Sequence, residues 1–202
     1  MNKISAALTT AVLAAGLTVA AAPLSSAATA APAPKFLTAS ELPHASTPWH
    51  ADKVKKGLPG SQSFCTRGVI PAAKTSYRDF RTELDTGARQ ITHTAATTAK
   101  AKKLVTDLRK AFASCADRLE HKYPSVEAKG KYHGRIDVEE GAYVYSLDTK
   151  DTEVGSTDIN LSSVGRDGRT VTYVDWGQMG DLKDAPLKGF KKTTRTAVAK
   201  LY

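Results

Sequence analysis

The chain has 202 residues, with 29 Lys and Arg against 20 Asp and Glu for a formal net charge of +9, and two cysteines. Once an N-terminal export segment is set aside, that length excludes more than one sizeable domain, and no later hydrophobic run is long enough to span a membrane. The basic balance favours adhesion to polyanions such as anionic cell-wall polymers or phospholipid headgroups, by an attraction that salt weakens, but it selects no ligand.

Met1-Asn2-Lys3 is a short positive start, Ile4 to Ala22 is an uncharged run of mostly small and aliphatic residues, and Ala28-Thr29-Ala30 has the small-residue pattern of a signal-peptidase site. Residues 1–30 therefore read as a signal peptide and the rest as a secreted chain. No Cys lies near the cleavage region, so a lipid anchor has no attachment atom. Ala31 to Lys35 is an Ala/Pro lead-in expected to be flexible, and one ordered domain is expected over 36–202.

Thr38-Ala39-Ser40-Glu41 is a capping box ahead of a stop at Pro43, with Leu37 as its staple. From His44 to Ala73 the density of Pro and Gly predicts a long irregular segment containing Trp49 and Cys65. Strands are expected at 76–84 and 88–95, reversed by Asp85-Thr86-Gly87 with Gly87 supplying a positive φ. One long helix follows, with Ala101, Leu104, Val105, Leu108, Phe112, Cys115 and Leu119 on its buried stripe. Cys65 and Cys115 are the two cysteines of an exported chain and are expected to form one disulfide fastening the long loop to this helix.

After Pro124 the pattern alternates. Tyr132, Gly134, Ile136 and Val138 read as one strand face, and Tyr143, Tyr145 and Leu147 as one face of the next, with Glu139-Glu140-Gly141 turning between them. Ile159 and Leu161 alternate with Asp158, Asn160 and Ser162, and Arg166 to Arg169 turns into a strand at 170–176 whose Thr and Asp residues suggest a solvated face. Asp184 is placed to cap a terminal helix bearing Leu187, Phe190, Val198 and Leu201. The expected fold class is α+β: an antiparallel sheet of about six strands, two long helices packed on one face, and one disulfide.

Catalytic patterns are thin. Asp85-Thr86-Gly87-Ala88 matches the short signature of aspartic proteases, but that chemistry needs two carboxylates sharing a proton, and the preceding Phe80 to Leu84 is too polar for a buried site strand. A hairpin turn accounts for it. The five histidines show no metal spacing and partner no Cys, so neither a metal nor another cofactor is expected. His93 and His133 are the candidates for a histidine-based, nuclease-like secreted hydrolase, which together with a nonspecific basic wall-adhesive protein is an alternative to a binding domain. Basic residues do not interleave with strand aromatics, so no specific nucleic-acid partner is expected. Trp176-Gly177-Gln178, with its flexible backbone and its amide, and Trp49 in the long loop are candidates to line a ligand cleft.

Taken together, Leu37 to Pro43, the Phe64-Cys65 pair, the helix carrying Cys115, the strand Val171 to Trp176 with its Gly-Gln continuation, and the closing Phe190 to Thr194 segment resemble the extracellular sensor domain of PknH-type receptor kinases of actinobacteria. The likeness spans most of the chain after the export segment. It implies an α+β domain with a large cleft that binds a ligand without catalysis, here a small molecule or wall-derived fragment, and a membrane receptor as a possible partner. Two departures stand out: the kinase ectodomain has two disulfides where this chain can form one, and neither a kinase segment nor a membrane span follows from the sequence. Trp176, Gln178, Trp49 and Asp175 are the expected cleft residues, with Arg81 and Arg135 as anion contacts where their strands face it.

Overall fold

Helical and alternating periodicities sort the chain into three helices and eight strands in the computed structural model, which describes residues 33–202. The expected signal peptide and the start of the lead-in fall outside the described residues. Lys35 is already tied down, its amide donating to the Lys200 carbonyl at 3.3 Å. Thr38 and Glu41 close the expected capping box over a 3-10 turn at Ala39–Glu41, above the fully buried Leu37.

The long segment 44–73 is irregular except for β1 (His50–Ala51) and β2 (Lys55–Lys56). Both pair with β3 (Thr75–Arg81), which forms a hairpin with β4 (Gly87–Thr94). The reversal differs from expectation. It spans Thr82 to Thr86, closed by the Thr82 amide and hydroxyl, each 3.1 Å from the Thr86 carbonyl. Gly87 is the first residue of β4 and lies outside the positive-φ region.

The single long helix is in fact two, α1 (Thr98–Ala113) and α2 (Cys115–Lys122). They divide at Ser114, whose amide and hydroxyl each donate to the Lys110 carbonyl at 3.1 Å. Cys115, 1% exposed, is disulfide-bonded to Cys65 across 50 residues. β5 (Val126–Ile136), β6 (Ala142–Asp151), β7 (Thr157–Asp167) and β8 (Thr170–Met179) follow. α3 (Leu187–Ala199) starts after Pro186 without a side-chain cap. Asp184 instead closes a capping box with Asp181 over a 3-10 turn at Leu182–Asp184.

The strands form one antiparallel sheet in the order β1-β3-β4-β8-β7-β6-β5, with β2 also on β3. Its helices are not on one face. Ile159, Leu161, Val174 and Trp176 pack with Leu37 and with Phe190 and Val198 of α3. The opposite side carries Ile91, Val164, Val171 and Tyr173 against Leu104, Leu108 and Phe112 of α1. Thr170 and Thr172, which read as solvated, are 0% and 2% exposed, because their hydroxyls bond Tyr202 and Gln90 within the covered sheet. A strand buried on both faces loses the alternation that a half-exposed one shows. In β5 a bulge between Tyr132 and Arg135 breaks the single face expected there. Tyr132 stacks on Tyr145 at 5.1 Å on the α1 side, whereas Ile136 joins the core under α3.

Candidate functional site

A partly enclosed polar cleft arises from strand register. Gly87 of β4 pairs with Gly177 of β8, which pairs with Asn160 of β7. Two of three neighbouring positions thus lack a side chain and leave part of the sheet floor bare. Asn160 leans over this gap, its Oδ1 lying 2.6 Å from where a Gly177 Cβ would sit. One register step away, Ser162 pairs with Asp175. The far wall is built from sequence-distant parts: Ser63 to Cys65 of the irregular segment, and Leu119 of α2. The Cys65–Cys115 bond fastens these two walls together. Between sheet and walls lies a cleft of about 430 Å³ that Asp85, Leu147, Asp158, Gln178 and Met179 also line. It adjoins a second hollow of about 360 Å³ that shares Asp85, Asn160, Asp175 and Gly177.

Asp175 is the electrostatic centre. Its Oδ1 accepts the Ser162 hydroxyl at 3.1 Å. Burial raises its carboxyl to about 6, against the pull of the Ser162 and Tyr173 hydroxyls and the Arg89 charge. Arg89 itself is occupied, donating to Asp79 at 2.5 Å and to the Ser61 carbonyl at 2.6 Å. The Tyr173 phenol is pushed well above its ordinary range, by burial first and then by the Asp175 charge. Its hydroxyl sits beside Ser63, Ser162 and Asp175, yet completes no hydrogen bond among the described residues.

The structure brings some expected residues together and separates others. Gln178 and Asp175 line the cleft, with the Gln178 amide oxygen accepting the Thr86 hydroxyl at 3.4 Å. Trp176 is 2% exposed in the core beneath α3, borders the adjoining hollow, and has an indole N–H without a partner among the described residues. Trp49 donates to the Pro43 carbonyl at 2.7 Å and lines an open hollow of about 620 Å³ drawn wholly from the single segment 39–49. Arg81 pairs with Asp52 at 2.5 Å and Arg135 with Asp137 at 3.2 Å, neither in the cleft. Missed in the sequence were Asp158, Asn160 and Ser162, whose alternation with Ile159 and Leu161 has the same signature whether the polar side meets solvent or a cleft.

No histidine lines the cleft or the hollow beside it. His93 meets the Thr75 hydroxyl at 2.9 Å beside the α1-side core, and His133 meets the Ser146 hydroxyl at 2.8 Å on the opposite side of the sheet. Burial lowers the pKa of both rings, with added repulsion from Lys74 at His93 and from Lys131 and Lys191 at His133. Among the described residues no group of three or more His, Cys, Asp or Glu is arranged to hold a metal, and no helix is long and apolar enough to cross a membrane. Compared with family models and with curated proteins, the chain finds no match.

Proposed function

We propose that this chain is an exported ligand-binding domain of the PknH-type sensor kind, with the cleft over Asn160, Ser162 and Asp175 as its ligand site and no catalytic step of its own. The observation that carries this reading is a cleft of about 430 Å³ assembled from sheet, loop and helix, with one wall fixed by the disulfide. Pre-formed concave sites with apolar walls and a few convergent polar groups are what small ligands require. Holding the wall covalently reduces the ordering cost of binding. A small molecule or wall-derived fragment is the ligand, and a membrane receptor is the partner that would turn occupancy into a signal.

The test is thermal unfolding of the oxidised protein against wall fragments, sugars, lipids and nucleotides. A ligand at a hundred times its dissociation constant stabilises the fold by about 2.7 kcal/mol, and such a shift should persist as salt is raised. Shifts that vanish with salt would instead favour nonspecific wall adhesion by the basic surface. Consumption of a compound would favour a hydrolase.

A further inference from the structure

The lining of this cleft runs against the charge of the whole chain. Lys and Arg outnumber Asp and Glu by 29 to 20, yet the cleft presents Asp85, Asp158 and Asp175 and no lysine, arginine or histidine. Among the described residues none of the three aspartates forms a salt bridge. The cation nearest in the adjoining hollow, Arg89, is already bound to Asp79. Arg118 and Lys122 stand over the Phe64 ring at 5.4 and 5.5 Å without lining the cleft themselves.

A second, independent observation points to a missing partner. The Tyr173 hydroxyl, in a residue 2% exposed, lies among Ser63, Ser162 and Asp175 without a completed hydrogen bond. Leaving such a group unsatisfied is costly, and all three of its neighbours line the cleft. Phe64, Leu119, Leu147 and Met179 supply apolar lining beside the neutral polar Thr149 and Gln178, and Met179 is 59% exposed at the end of β8.

We propose that the cleft takes a primary ammonium carried on an apolar body, with the charged head over Asp175 and the body against Phe64 and Leu147. A primary ammonium offers three N–H donors and no acceptor. The Asp175 carboxylate and the Asn160 amide oxygen are the acceptors at the floor, with the Tyr173 hydroxyl buried beside Asp175, and Asp85 and Asp158 add negative potential at the rim. The inference rests on the cleft being the ligand site, and it separates the chemistry of that site from the anion-attracting outer surface.

Three probes with one aromatic body and different heads decide it: phenethylammonium, neutral 2-phenylethanol and anionic 3-phenylpropanoate. Each is titrated into the oxidised protein with calorimetry for affinity and amide NMR for location. Phenethylammonium is expected to bind saturably, at least tenfold more tightly than the other two, shifting the amides of Ser162, Gly177 and Gln178. Asp175→Asn and Asp158→Asn should each weaken it severalfold, whereas Asp107→Asn, an aspartate outside the cleft on α1, should not. Equal or tighter binding of the alcohol or the carboxylate at the same amides would overturn the ammonium preference and leave the cleft a ligand site. Cleft amides that respond to none of the three would overturn the ammonium proposal, and the panel of wall fragments, sugars, lipids and nucleotides would still decide whether the cleft is a ligand site.

Discussion

Asp175 is held where its charge is unwelcome, so removing that charge should stabilise the protein. Its carboxyl is raised by burial from 3.8 to about 6, which means the folded state binds the proton more tightly than the unfolded chain does. Stability from this group is therefore fully present below about pH 4 and is lost as pH rises through about 6. With one pKa unit worth 1.36 kcal/mol, the ionised form costs the fold about 3 kcal/mol at neutral pH. Asp175→Asn keeps an acceptor for the Ser162 hydroxyl and an N–H for Tyr173. After allowing for partial solvent access and the burial of the amide itself, a gain of about 2 kcal/mol is expected, or about 4–8 °C in Tm for a domain of this size. Thermal unfolding followed by circular dichroism at pH 7.5 and pH 4 measures it. The variant should melt higher at pH 7.5, with most of the difference gone at pH 4. A variant equal to or less stable than the parent at pH 7.5 would refute the reasoning, because it would show that the carboxylate is well solvated or well paired. A stabilised variant that binds its ligand less well would mark Asp175 as a residue kept for function at the expense of stability.

Reduction of Cys65–Cys115, or its replacement by alanines, releases a loop of 50 residues and should cost about 4 kcal/mol on the chain-entropy model, read as a fall in Tm on adding reductant. Gly165→Ala should destabilise by about 1–3 kcal/mol in denaturant unfolding, because a Cβ there would lie 2.5 Å from Val198 Cγ2 and 2.8 Å from Ala142 Cβ. Trp176→Ala should lower stability by about 3–5 kcal/mol as a core truncation, whereas Gln178→Ala, at the open end of β8, should melt close to the parent. Comparable melting of these two variants would contradict the placement of Trp176 beneath α3.

Much of the local structure was legible because its causes are local. The Thr38 to Glu41 capping box, the Glu139 to Gly141 and Arg166 to Arg169 turns, the buried stripe of α1 and the pairing of the two cysteines each depend on residues a few positions apart or on a count of two. The α+β class followed from element order. Other features required partners that the chain supplies from far away. Ser114 carries no strong breaking signal, yet one expected helix divides there into α1 and α2. The residues of β5 alternate through a bulge that moves Tyr132 and Ile136 to opposite faces. Periodicity of two says which residues share a face but not what covers that face, so Thr170 and Thr172 read as solvated when α3 and the N-terminal segment bury them.

The same ambiguity hid the cleft. Asp158, Asn160 and Ser162 have one sequence signature whether their side of β7 meets water or an enclosed space, and Gly87 reads as a turn residue and Gly177 as a point of backbone freedom until strand register sets them side by side. The sequence by itself determined the main strands and helices, the charge and the single cross-link, because these rest on neighbours and composition. Only the tertiary structure decided that Asp85, Asp158 and Asp175 line one cleft with Cys65, because sheet order and the two-sided cover of helices fix which polar residues share an enclosed space.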